Sequence, residues 1–426
     1  MRNIGNCAEE VFYGLLKARR GRKKLLLLSM GELFWKFRVP VANRELYELE
    51  SPYLVGRGRS FLQFLGRLLL TLFFGGPRIV YHLVHKVRRF LHRFLPVPRY
   101  EVQFSFPLIG RSSLWSPAGI KGFSWKIVDE MKWPEQFETP IEVRLSGGKR
   151  RWAEKERLRM GVPLHDWFVC LHVREGGFRN DWDHSWRNAS IQNYLPAIRL
   201  ITESGGWVIR MGDPTMTHLP PMDRVIDYAH SPFKGALMDL YLMSACRFFW
   251  GTNSGLQEVA RLFGKQELLV NLSDWTVSFP LKRESLALLK HVYSRSQNRF
   301  FSVKELLEEP LDRVVSQCFR NLHDDWELVE NSPDEIRDLV AEFLATPSGG
   351  GGSELQAEFK RKRKEQIDRG LPLACLAREA RVNAVEQYRF ASRVSAARGR
   401  LGEKYLEQNW WQDALQQPTQ RQSQGM

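Results

Sequence analysis

His172, Arg174 and Glu175 close a short apolar run, Trp167–Val173, and Gly176-Gly177 follow at once. A guanidinium at such a place can grip a phosphate through paired hydrogen bonds, and an imidazole or carboxylate beside it can move a proton. Arg210, Gly212 and Asp213 close a second apolar run, Trp207–Met211. Gly251, Thr252, Asn253, Ser254 and Gly255 close another, Arg247–Trp250, and lead into Leu256, Val259, Ala260 and Phe263, which recur at helical spacing. A helix beginning there aims backbone N–H groups and the positive end of its dipole at an anion. If these runs are parallel strands, their ends meet along one edge, and the chemistry presented is that of a diphosphate cradle.

Each piece also has an ordinary structural reading. His172 and Arg174 alone could be a satisfied histidine and a surface ion pair. Ser254 with Gln257 has the spelling of a helix capping box, and Gly212-Asp213-Pro214 that of a turn. Asp239 lies in an apolar helix, Leu237–Met243, where a carboxylate favours the first turn but needs a partner if buried. The functional reading is preferred because several strand ends coincide.

The elements that must position these residues are legible. Strands are expected at Trp167–Val173, Trp207–Met211, Arg224–Tyr228, Arg247–Trp250 and Glu267–Asn271. Between them, Asn193 can cap a helix with Pro196 in its first turn, stopping at Gly205-Gly206, and Ala236–Ala245 reads as a second helix. This alternation argues for an α/β lobe with a parallel sheet covered on both faces, ligands binding beyond the carboxyl ends of its strands. Upstream, Arg2–Asn6 reads as a turn opening a helical pattern through Leu16, and Lys23–Ser29 as a buried strand, a βα unit that lacks its first strand. Arg99–Pro107 alternates like a strand. The expected division is an N-terminal lobe over 1–160 and a second lobe over 161–346. A Gly-rich linker at 347–353 precedes C-terminal helices over 354–411 and a polar tail, 412–426.

The chain is strongly basic, with net charge +15, which points to acidic partners. The excess is local: no Asp or Glu occurs from Ser51 to Tyr100, which holds Arg57, Arg59, Arg67, Arg78, Lys86, Arg88, Arg89, Arg93 and Arg99. Leu83, Val87, Phe90, Leu91 and Phe94 form an apolar stripe beside those charges, the pattern of a basic amphipathic helix lying on an anionic membrane surface. No run reaches the roughly 20 apolar residues of a spanning helix. No secretory leader is visible, and Cys7, Cys170, Cys246, Cys318 and Cys375 are scattered, as reduced thiols in a cytoplasmic protein would be; they offer no zinc spacing.

The segments CLHVREGGF, RNASIQNYLPAI, GGWVIRMGDP, VIDYAHS and MDLYLMSACRFFWGTNSGLQEVARLFG, between Cys170 and Asn271, resemble a bacterial glycosyltransferase family. More distantly they are similar to the donor lobe of GDP-fucose-using transferases with two Rossmann-like lobes, the GT-B fold. The resemblance implies that Arg174 holds the donor diphosphate with His172 alongside, that Asp239, Thr252 and Ser254 match a later motif, and that Gly5-Asn6 matches a first-lobe turn. Glu175 stands where those transferases often carry a second Arg, so the nucleotide need not be GDP. The implied activity is transfer of a sugar from a nucleotide-sugar to a hydroxyl of a glycan or lipid-linked acceptor in surface polysaccharide synthesis. It would need neither metal nor a separate cofactor and would run in the cytoplasm, peripherally at the inner face of the membrane. Glu175, Asp181, Asp183 and Asp213 are all carboxylates that could serve as base, and spacing selects none.

The competing reading is a basic nucleic-acid- or membrane-binding protein without catalysis. Nucleic acid is disfavoured because no helix-turn-helix, zinc finger or RNA-binding aromatic motif is present. A dinucleotide enzyme is disfavoured because no GxGxxG follows a strand.

Overall fold

The computed structural model describes residues 4–22, 25, 43–54, 104–108, 111–116, 119–121, 138–178, 186–273, 275, 279–310, 325–346, 351–369 and 397–411. The chain packs as two compact units, one of residues 1–130 and 141–146, the other of residues 131–140 and 147–426.

In the first unit, helix α1 (Ile4–Arg20) buries Cys7, Ala8, Val11, Phe12, Leu15 and Leu16, an apolar stripe at helical spacing. Gly5 and Asn6 therefore stand within its first turn, not in the loop expected from the sequence. Leu25 forms a parallel bridge with Leu54, and the rest of the expected strand Lys23–Ser29 lies outside the described residues. Among the described residues this unit's sheet consists of β1 (Phe104–Leu108), β2 (Arg111–Ser116) and β3 (Gly119–Lys121), joined as antiparallel hairpins. The basic amphipathic segment also falls outside the described residues.

The second unit carries the α/β architecture. Helix α2 (Gly147–Arg159) precedes β4 (Phe168–His172), whose residues are all buried. Then follow α3 (Leu195–Glu203), β5 (Trp207–Arg210), β6 (Val225–Ile226), α4 (Ala236–Ala245), β7 (Phe248–Gly251), α5 (Gly255–Leu262), β8 (Gln266–Leu272) and β9 (Leu286–Leu289). Asn193 does not cap α3. It lies in a 3-10 turn, Ile191–Tyr194, and its side-chain amide donates to Glu330 instead, because that extra turn moves the helix start beyond it. Pro196 does occupy the first turn of α3, and the chain leaves that helix at Gly205-Gly206 as expected.

Three short strands, β10 (His291–Ser294), β11 (Arg299–Phe300) and β12 (Trp326–Val329), make a separate antiparallel sheet. Helices α6 (Val303–Glu308) and α7 (Pro333–Ala345) each open on a Ser…Glu capping box. Beyond the Gly-rich segment, α8 (Glu354–Arg369), β13 (Arg400–Leu401) and α9 (Glu403–Asn409) pack within the same unit. There β13 joins the main sheet beside β9.

That main sheet has seven strands in the order β13-β9-β8-β7-β4-β5-β6, every neighbouring pair parallel. From β4 the chain builds outward through β5 and β6, then returns and builds the other way through β7, β8 and β9. Right-handed crossovers in opposite directions put helices on both faces. Accordingly α3 packs on α7, while α4 packs on α2 and α5. The two directions diverge between β4 and β7, the kind of place where open α/β sheets bind ligands.

Candidate functional site

At that divergence the ends of β4 and β7 are tied together. The Thr252 amide donates to the His172 carbonyl at 3.0 Å, and the Arg174 amide donates to the Thr252 hydroxyl at 2.9 Å. The approach is so close that a Cβ on Gly251 would sit 1.9 Å from the His172 carbonyl oxygen, and Gly251 adopts φ +141°, so only glycine fits. Gly212 is held similarly, at φ +150°, against Met216.

The turn after β7 ends in extended backbone at Ser254, the N-cap of α5. Its side chain makes no capping bond, so the box spelled by Ser254 and Gln257 is not formed; only the Ser254 carbonyl accepts from the Gln257 amide. The Ser254 hydroxyl, the Asn253 carboxamide oxygen and His172 Nδ1 are buried atoms with no hydrogen-bond partner. Ser254 and Asn253 stand at the start of α5, where first-turn backbone N–H groups can also face a polar ligand.

The charges around His172 are strongly one-sided. Burial first, then the guanidiniums of Arg210 and Arg174, push the imidazole down to about 3; Lys234 adds to this and Asp213 opposes it. His172 is therefore neutral at physiological pH, and the cations that hold it so come from the ends of β4 and β5 and from the approach to α4. Arg174 is half-buried, its Nε donating to the Asn188 carboxamide at 3.1 Å. Lys234 Nζ lies 3.6 Å from Asp239, which also accepts from the Tyr228 hydroxyl at 2.9 Å. Burial pushes the Asp239 carboxyl up, against the pull of Lys234 and Tyr228. Asp239 thus has the partners its place in an apolar helix demanded.

Arg210 and Glu175 have other employment than the sequence reading gave them. The Arg210 side chain is wholly enclosed, 2.8 Å from Glu175 and 3.2 Å from Asp227, so it reaches no ligand directly. Glu175 accepts from Arg210 and from the Thr217 amide, which leaves it poorly placed to serve as a base. Asp213 accepts from the Thr215 amide and hydroxyl in the turn after β5 and remains half-exposed. The second unit thus gathers His172, Arg174, Asp213, Thr252, Asn253, Ser254 and Gly255 at one sheet edge, with Asp239 linked through Lys234. Gly5 and Asn6 belong to the first unit, and Asp181 and Asp183 lie outside the described residues.

Asn188, Lys234 and Asp227 escaped the sequence reading. Asp227 directly follows β6 and could have been found by the rule that singled out the other strand ends. Asn188 and Lys234 sit in loops whose return to the edge no local pattern reveals.

No protein-family profile matches the sequence, and no curated protein sequence does. Among solved structures the chain is similar to the glycosyl transferase family 9 protein from Veillonella parvula, with TM-score 0.33 and 10% identity over 51% of this chain and 57% of that one. It is also similar to the dodecameric iron-containing heptosyltransferase TibC, solved in complex with ADP-D-beta-D-heptose, with TM-score 0.18 and 18% identity over 26% of this chain and 30% of that one. The chain thus spans less than two thirds of either protein.

Proposed function

We propose that the protein is a glycosyltransferase whose second unit binds a nucleotide-sugar at the divergence of β4 and β7. The observation that carries the reading is the trio of unpartnered buried polar atoms, on His172, Asn253 and Ser254, set beside Arg174 at the N-terminus of α5. The motif resemblance between Cys170 and Asn271 supports it independently.

In this reading the donor diphosphate lies against the first-turn amides of α5 and the Ser254 hydroxyl, with the Arg174 guanidinium on its flank. Transfer forms a bond from the acceptor hydroxyl oxygen to the anomeric carbon and breaks the bond from that carbon to the diphosphate oxygen. The leaving nucleoside diphosphate keeps the bonding electrons, and the fixed cations and amides stabilise its growing charge. The acceptor's proton goes to a base, for which Asp213 is the half-exposed carboxylate among the described residues at this edge. Neutral His172 acts as a hydrogen-bonding group beside the diphosphate. Acceptors built on glycan or lipid carriers suit the basic segment between Arg57 and Arg99.

Calorimetric titration with UDP, GDP, ADP and CMP tests the proposal. At least one nucleotide is expected to bind, and Arg174→Ala, at a half-exposed position, is expected to weaken it about tenfold or more while far-ultraviolet circular dichroism stays unchanged. Absence of binding by all four would remove the reading.

A further inference from the structure

We propose that His218, Asp227 and His230 form a site for a divalent transition-metal ion of the zinc type, on the loops around β6. Their donor atoms all lie within 4.8 Å of one another. His230 Nδ1 is 2.8 Å from Asp227 Oδ2, and His218 Nδ1 is 3.8 Å from the same oxygen. Two ligands of one zinc ion, each bonded at about 2.0–2.2 Å, stand roughly 3–3.5 Å apart, so these separations bracket the required span. The two imidazoles stack with centroids 3.6 Å apart and planes 22° from parallel. His230 is largely buried and anchored, whereas the His218 side chain is 77% exposed and its ring can turn to complete the geometry.

A further observation points to a cation. The ionic cluster behind the histidines holds two carboxylates, Glu175 and Asp227, and one guanidinium, Arg210, which leaves a net charge of −1. Two imidazoles and a carboxylate make the nitrogen–oxygen donor set that zinc and neighbouring divalent ions favour, with coordination positions left open to water. The ion would lock Asp227 onto Arg210, and through Arg210 steady Glu175 next to the diphosphate-binding Arg174. The sequence hid this site because its ligands are separated by a loop that only the fold closes.

The test uses the full chain, stripped with a chelator and dialysed, with no nucleotide present. Zinc titration by calorimetry is expected to show one equivalent bound. Cobalt substitution is expected to give a visible absorption band that imidazole ligation imposes. His218→Ala, at an exposed position, is expected to weaken binding about tenfold or more and erase the band, while His165→Ala, outside the cluster, leaves both unchanged. No stoichiometric binding, or binding and a band indifferent to His218→Ala, would overturn the proposal. Either result leaves sugar transfer standing, because that is read from nucleotide binding.

Discussion

The imidazole of His172 is the residue whose environment says most about what the site expects. It is held neutral by burial and by Arg210 and Arg174, at about 3 against an ordinary 6.5. In the unfolded chain it takes up a proton below about 6.5, so folding loses stability as pH falls from there towards 3, by at most about 1.4 kcal/mol per pH unit. Urea unfolding at several pH values should therefore show the wild type losing ground to His172→Asn as pH drops; a constant difference between them would contradict the assignment. Glu335 adds to the same loss at lower pH. Against the upward push of burial, His291 and Ser332 hold its carboxylate at about 2, so its contribution is present above about 4.5 and lost as pH falls through 2. Because His172 stays neutral well above 3, it should add no pH dependence to nucleotide binding between pH 8 and 6, and His172→Asn should leave the shape of that profile unchanged.

At the scale of elements, the close crossing of β4 and β7 and the open start of α5 make separable predictions. Gly251→Ala places a Cβ into the His172 carbonyl at a φ unsuited to it, and is expected to cost about 3 kcal/mol or more or to abolish folding, measured by thermal and urea unfolding. Ser254→Ala is expected to cost less than the about 1 kcal/mol of an ordinary N-cap, because its hydroxyl makes no cap bond, yet to weaken nucleotide binding. A stability loss without an affinity loss would return Ser254 to a capping role. These elements were largely readable in advance: β4, β5, β7 and β8 fall within a residue or so of the apolar runs, and α4 matches at both ends. The start of α3 was missed because its preceding 3-10 turn uses residues that also spell a cap. The pattern at Ser254 left two readings open because the same residues serve a cap or a ligand, and only the orientation of a hydroxyl separates them.

Across the molecule, the second unit conforms to the sequence expectation of a parallel α/β sheet, and it adds a feature no local pattern contains. The order of strands, set by which crossovers turn back, puts β4 and β7 side by side and makes their ends the point where the two winding directions diverge. The fates of Arg210 and Glu175 were illegible for the same reason. Their ion pairing depends on β4, β5 and β6 lying in register and on the loop through Thr217, none of which spacing encodes. Arg210→Met would strand two partly buried carboxylates and is expected to destabilise the fold by roughly 3–5 kcal/mol, with a smaller loss in Asp227→Asn, read by urea unfolding. A neutral result at Arg210 would mean that the cluster does not hold the edge together.

The most direct test of the central claim is amide hydrogen exchange, read by mass spectrometry with and without a saturating nucleoside diphosphate. Slowed exchange concentrated in peptides spanning Val173–Gly177 and Thr252–Glu258 is the expected result. Bound nucleotide that leaves those peptides unchanged and protects others would contradict it.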